Sequence, residues 1–109
     1  MNKHMIIGNL TRDPERRTTR DGINYAVFTV AVNRRRQQEG QPEADFFRVT
    51  AWRALGETCA QYLRKGKKVC VIGPSSVSVW TGDDGQARAQ IEIQADDVEF
   101  LSRKDAEAE

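Results

Sequence analysis

Histidine occurs once among the 109 residues, at position 4, while cysteine occurs twice and proline three times. A lone imidazole at the start of an apolar stretch has no acid–base partner, and it reads as a satisfied surface or interface residue. No GxSxG, P-loop, HExxH or GxGxxG sequence is present, so the chemistries those motifs carry have no bearer. Cys59 and Cys70 lack CxxC spacing and stand among apolar neighbours. Two buried thiols in a reducing compartment are expected, with a disulfide or a metal pair as alternatives. Asp83-Asp84 and Asp96-Asp97 are paired carboxylates, but the first pair sits in a turn that favours Asp for backbone reasons and the second beside a strand end. The longest apolar runs, such as Val69-Cys70-Val71-Ile72, are far too short to cross a bilayer, and the few apolar residues before Gly8 make no signal-peptide core. The inventory points away from an enzyme, calls for no cofactor or metal, and predicts a cytoplasmic protein.

Net charge is also scarce, at +1 from 17 basic and 16 acidic residues. Resolved along the chain the balance divides sharply. Residues 1–68 carry 14 basic and 7 acidic side chains, or +7, whereas residues 69–109 carry 3 and 9, or −6. Such asymmetry points to a polyanion partner or an acidic tail.

What is present is a period-two rhythm. Residues 4–10 read as a first short strand, closed by the Thr11-Arg12-Asp13-Pro14 turn signal. After an Asp21-Gly22 turn, residues 24–34 alternate, with Phe28, Val30 and Val32 on one face and Tyr25, Val27, Thr29 and Ala31 on the other. A polar hairpin loop over 37–44 leads into a strand over 45–53. The one convincing helix spans 54–65: Leu55, Cys59, Tyr62 and Leu63 recur at helical spacing, basic residues occupy the last turn, and Gly66 suits the position just past the end. Residues 68–73 return as a strand, and 75–81 with 87–95 form a hairpin around Gly82-Asp83-Asp84-Gly85. Three strands, one helix and two or three more strands fit an all-β domain with one helix. The matching architecture is the OB-fold, a five-stranded Greek-key barrel with its helix between strands 3 and 4. An open α+β sandwich shares the same pattern.

Within the third strand, alternation sends Phe47, Val49 and Ala51 to one face and Phe46, Arg48, Thr50 and Trp52 to the other. Aromatics exposed beside a cation can stack bases while phosphates are neutralised; the alternative is that Phe46 and Trp52 pack under a loop or a subunit interface. In the last hairpin Ser76, Ser78 and Trp80 share a polar face, and a simple register brings Arg88 beside Trp80. Cations cluster at Arg12, Arg16, Arg17 and Arg20, at Arg34, Arg35 and Arg36, and at Arg64-Lys65-Gly66-Lys67-Lys68. The helix dipole accounts for part of the last group. Three adjacent arginines at a hairpin mouth repel one another unless an anion relieves them, and a phosphate backbone is such an anion. No element resembles a groove-reading helix, so an unstacked single strand is the better substrate.

These residues also resemble a known family. Asn2-Lys3 through Ile7-Gly8-Asn9-Leu10, Asp13-Pro14-Glu15 with Arg17, Phe28-Thr29-Val30-Ala31-Val32-Asn33, Phe47-Arg48-Val49 with Trp52, Tyr62-Leu63-Arg64-Lys65-Gly66, and Trp80-Thr81 followed by Gly85-Gln86 and Arg88 are similar, in order, to bacterial single-stranded DNA-binding proteins (SSB). The resemblance implies a homotetramer that wraps single-stranded DNA in replication, recombination and repair, associated with the nucleoid. It puts base-stacking aromatics at Phe46, Trp52 and Trp80, and DNA-path residues at Thr29, Arg48, Lys65 and Arg88. Lys3, Arg17, Arg34, Arg35, Arg36 and Lys67 complete the expected DNA-binding set. A further stacking Trp of some members aligns with Arg36, so a charge replaces it. Phe47 stands where some members carry an interface His, which would make that contact apolar.

The chain stops at Asp105-Ala106-Glu107-Ala108-Glu109, where family members continue into a Gly/Gln/Pro-rich linker and an acidic tip that recruits other replication and repair proteins. Either the sequence is cut or the protein is a short paralogue, phage- or mobile-element-encoded. Recruitment through a tip is therefore not carried over. Residues 1–101 are expected to form the OB domain and 102–109 a short, acidic, disordered tail. The competing readings are an SSB-like primosomal replication-restart adaptor, an OB-fold interaction module whose aromatics form an oligomer interface, and, more distantly, a folded-RNA binder.

Overall fold

Eight strands and one helix follow one another in a computed structural model that describes residues 1–35, 39–40 and 43–101. They are β1 (His4–Leu10), β2 (Glu15–Thr18), β3 (Asn24–Asn33), β4 (Ala44–Trp52), α1 (Arg53–Tyr62), β5 (Lys68–Gly73), β6 (Ser75–Thr81), β7 (Ala87–Gln94) and β8 (Asp97–Phe100). Half of the loop expected over 37–44 and the whole tail expected over 102–109 lie outside the described residues. The alternating runs become strands because each can bury one face. In β3, Ala26, Phe28 and Val30 are buried while Tyr25, Val27, Thr29 and Ala31 stay half-exposed on the other side. In β4, Phe47, Val49 and Ala51 are the buried set.

Hydrogen-bonded neighbours run β6-β7-β4-β3-β1-β5-β8, with β2 added to β3. The β4–β7 pair is parallel and the others are antiparallel. β5 and β6 are separated only by Pro74, so they form one chain run whose first half pairs with β1 and whose second half pairs with β7. The strand path thereby returns on itself. At this seam the Gln94 N–H donates to the Pro74 carbonyl at 3.0 Å and the Asp96 N–H to the Ile72 carbonyl at 2.8 Å. Gly73 lies in the seam, where a Cβ would collide with the Gln94 carbonyl oxygen, so a side chain is excluded by backbone. The architecture is the OB-fold, with barrel strands β1, β3, β4, β5–β6 and β7 and the helix between the third and fourth of them.

Three features differ from the sequence reading, the first being β8 (Asp97–Phe100), which pairs with β5 and has no counterpart in that reading. β2 is not visible as period two because all four of its residues are polar and exposed; it forms by adding to the open side of β3. The helix ends at Tyr62, three residues earlier than its spacing suggests, and has no basic residue in its last turn. Leu63 is 1% exposed and leaves the helix with extended angles (φ −86°, ψ 147°), which drops its side chain into the core beside Cys59 and Val71. Tyr62, by contrast, is exposed. The carbonyls freed at this end are capped by Arg64, whose Nη1 donates to Ala60 at 3.0 Å and Leu63 at 2.6 Å. Gly66 takes its positive φ of 89° in the loop beyond, where its N–H donates to the Leu10 carbonyl.

Both cysteines are buried and free. Burial pushes the Cys59 thiol up to about 11, so thiolate is scarce at neutral pH. Iodoacetamide at pH 8 is expected to label Cys59 only after unfolding, as read by peptide mass. Labelling of the native protein would show that α1 does not seal the barrel.

Candidate nucleic-acid interface

The outer face of the barrel is assembled from five strands. Register pairs Arg17 with Tyr25 and Glu15 with Val27 across β2–β3, then Tyr25 with Trp52, Val27 with Thr50, Thr29 with Arg48 and Ala31 with Phe46 across β3–β4. The parallel β4–β7 ladder sets Arg48 opposite Glu92. The hairpin register then sets Glu92 opposite Ser76, Gln90 opposite Ser78 and Arg88 opposite Trp80. Directly opposed residues share a face. Trp80 and Arg88 therefore continue the same surface as Phe46, Arg48 and Trp52, and the sequence-based pairing of Trp80 with Arg88 holds.

Three of the four aromatics of this face are open to solvent, and Tyr25 is half-buried: Phe46 is 52% exposed, Trp80 47% and Trp52 37%. They are not equally free. Trp52 packs against Tyr25 with ring centroids 4.6 Å apart, and its indole N–H donates to Gln94 Oε1 at 2.9 Å. One side of that indole is thus covered and its orientation fixed. The residue after it, Arg53, has a positive φ of 55°, a left-handed conformation costly for a side chain, at the turn from β4 into α1. Phe46 and Trp52 stand six residues apart along β4, roughly 20 Å. That span accommodates several nucleotides.

The cations are distributed unevenly. Arg17, Thr29 and Arg48 line a pocket of about 410 Å³ together with Arg12, Asp13, Glu15 and Gln90. Glu15 accepts from Arg17 Nη2 at 2.9 Å; this bond and the charge of Arg17, with a smaller contribution from Arg48, hold the Glu15 carboxyl below the usual range. Arg88 does not extend over Trp80. Its guanidinium crosses Gly82 to pair with Asp84 Oδ2 at 2.6 Å. The loop carrying Lys65 and Lys67 is tied to the one after β1, because the Lys65 N–H donates to Asp13 Oδ1, itself in the pocket lining, and the Leu10 N–H to the Lys67 carbonyl.

Arg34 and Lys3 stand apart from this group. Arg34 donates to Asp45 Oδ1 from Nε at 3.1 Å and from Nη2 at 2.8 Å. Asp45 has the parity of the inward residues Phe47 and Val49, so the pair sits on the reverse side of the β3–β4 arm. The anion that relieves the arginine run is thus partly supplied by the chain itself. Arg35 is exposed just past β3, and Arg36 lies outside the described residues. Lys3 pairs with Asp96 at 3.6 Å, beside the barrel seam. Phe47 is 8% exposed and meets the His4 ring edge-on at 5.4 Å, so it has little surface to give to a subunit contact. Sequence reading passed over Tyr25, Gln94 and Glu15 as members of the site. Tyr25 was legible on the outer face of its run, but its role as the floor under Trp52 needs the β3–β4 register.

Comparison with known proteins agrees with this geometry. The model of the single-strand binding protein family matches residues 1–101. A single-stranded DNA-binding protein of Caldanaerobacter subterraneus subsp. tengcongensis is 41% identical over 105 residues, covering 95% of this chain and 70% of that protein. Single-stranded DNA-binding protein 3 of Clostridium acetobutylicum is 43% identical over 102 residues, covering 93% and 71%. A single-stranded DNA-binding protein of Bacillus cereus is 38% identical over 110 residues, covering 100% and 65%. The chain therefore spans about two thirds of the length of these relatives.

Proposed function

Because the chain belongs to the single-strand binding protein family, we propose that it binds single-stranded DNA without sequence preference, through residues 1–101 and without catalysis. Bases stack on Phe46, Trp52 and Trp80, while Arg17, Arg48, Arg88, Lys65 and Lys67 take phosphates, and Thr29 donates its hydroxyl beside Arg48. The observation that carries this reading is the joint register of β4–β7 and β6–β7, which sets three exposed aromatics and two arginines on one open face. A strand laid across it offers π-faces at intervals and a charged backbone between them, which suits any sequence. The roles that go with such binding are protection and wrapping of single strands during replication, recombination and repair, in the cytoplasm. Assembly into a homotetramer is supported by exposed apolar side chains that the stacking scheme does not use. Met5 and Ile7 on β1 are 64% and 49% exposed, and Val77 and Val79 point from the reverse of the hairpin arm.

The test is a titration of tryptophan fluorescence with oligo-dT and with a duplex of equal length. Strong quenching by the single strand at low salt is expected, weakening as salt rises because phosphate contacts release counterions. No quenching at sub-micromolar protein and low salt, or stronger quenching by the duplex, would overturn the proposal.

A further inference from the structure

Four arginines among the described residues are held by a carboxylate of the chain, and two of these pairs lie on the aromatic face. Glu15 and Arg17 are both on the outer side of β2 and meet at 2.9 Å. Asp84 and Arg88 meet at 2.6 Å across the β6–β7 turn. The other two pairs lie elsewhere: Arg16 with Glu57 of the helix at 2.8 Å, and Arg34 with Asp45 on the reverse of the β3–β4 arm. We propose that Glu15 and Asp84 are internal stand-ins for phosphate, each occupying an arginine of the strand-binding face until a DNA phosphate displaces it. This rests on the single-strand-binding reading above.

A carboxylate and a phosphate offer the same thing to a guanidinium: two anionic oxygens that accept from its fork. The two stand-ins are built to yield in different ways. Asp84 is fixed by its turn, since its Oδ1 accepts from the Gln86 N–H at 3.0 Å, so Arg88 must swing away from it toward Trp80. Glu15 is mobile by chemistry, an exposed side chain on a short edge strand, and it can itself leave Arg17 at the pocket. The depressed Glu15 carboxyl is ionised throughout the neutral range, so competition is present wherever the protein works. Exposed pairs of this kind are weak, which is what an exchangeable partner requires. Binding then becomes anion exchange, and a single chloride or carboxylate in solution is a poor competitor because it cannot also stack.

Glu15→Gln, Asp84→Asn and Glu57→Gln each remove one negative charge from an exposed pair, and Asn at 84 keeps the acceptor for the turn. All three are titrated with oligo-dT alongside the unaltered protein at about 50 mM and 200 mM salt. Glu15→Gln and Asp84→Asn are expected to bind roughly two- to five-fold tighter at low salt, with the log-affinity against log-salt slope unchanged, because each arginine meets a phosphate in both proteins. Glu57→Gln is expected to match the unaltered protein. Equal or weaker binding by the first two variants would overturn the inference. So would tightening of Glu57→Gln by the same factor, which would assign the effect to bulk charge. Absence of binding by the unaltered protein would instead remove the single-strand-binding reading itself.

Discussion

Trp80→Ala is expected to weaken oligo-dT binding by roughly 5- to 150-fold, the equivalent of about 1–3 kcal/mol for one lost stacking platform in proteins of this type. Its unfolding free energy should stay within about 0.5 kcal/mol of the unaltered protein. The two halves of this expectation have separate causes. Trp80 stands on the polar face of a hairpin arm with 47% of its surface open and is no part of the buried cluster, so truncation leaves no cavity. Its indole face is available to a base, and the Arg88 beside it can be released toward a phosphate. Trp52→Ala is a less clean experiment. It removes the hydrogen bond to Gln94 and the packing against Tyr25 together with any stacked base, so it should cost stability as well as affinity. A Trp80→Ala protein that unfolds would favour a core or subunit-interface role. One that binds oligo-dT undiminished would remove Trp80 from the site.

Gly73→Ala is expected to cost about 3 kcal/mol in urea unfolding, the upper end of what an extra methyl in a packed site costs. The obstruction is the Gln94 carbonyl, which is backbone and held in the seam by the Gln94 N–H bond to Pro74, so no rotamer change relieves it. The seam is where β5 hands over to β6 and where the barrel closes. Opening it also tilts β7 away from β4, and with it the register that aligns Trp80 with Phe46. Affinity should therefore fall together with stability, unlike in Trp80→Ala. A Gly73→Ala protein as stable as the parent would mean that closure does not depend on this contact.

The elements with one apolar face were legible from the residues alone: β1, β3, β4 and the β6–β7 hairpin lie within a residue or so of where alternation puts them. Alternation carries that information because each second residue must leave water. β2 carries none, since Glu15, Arg16, Arg17 and Thr18 are all exposed and the strand exists only by pairing with β3. The helix end was misjudged because Leu63 satisfies helical spacing and core burial alike, and only the geometry of the barrel decides that it is buried from an extended backbone. The site divides in the same way. Phe46, Arg48, Trp52 and Trp80 were readable as outward residues of strands, and their common face follows from the parallel β4–β7 ladder, a long-range pairing that no local pattern encodes. The carboxylates beside Arg17, Arg34 and Arg88 are hidden for a different reason, since Glu15 and Asp84 stand only two and four residues from their arginines. Charge counted along the chain makes the arginine groups look unrelieved, whereas strand register and turn geometry bring Glu15, Asp45 and Asp84 within hydrogen-bond distance of them.

The most direct test of the aromatic face is photo-crosslinking of a bromodeoxyuridine-containing oligonucleotide to the intact protein, with adduct sites mapped by mass spectrometry. Adducts at Phe46, Trp52 and Trp80 are expected, and they should disappear as salt is raised. Adducts confined to the reverse of the hairpin arm around Val77 and Val79, or to Met5 and Ile7 on β1, would contradict a strand running across this face.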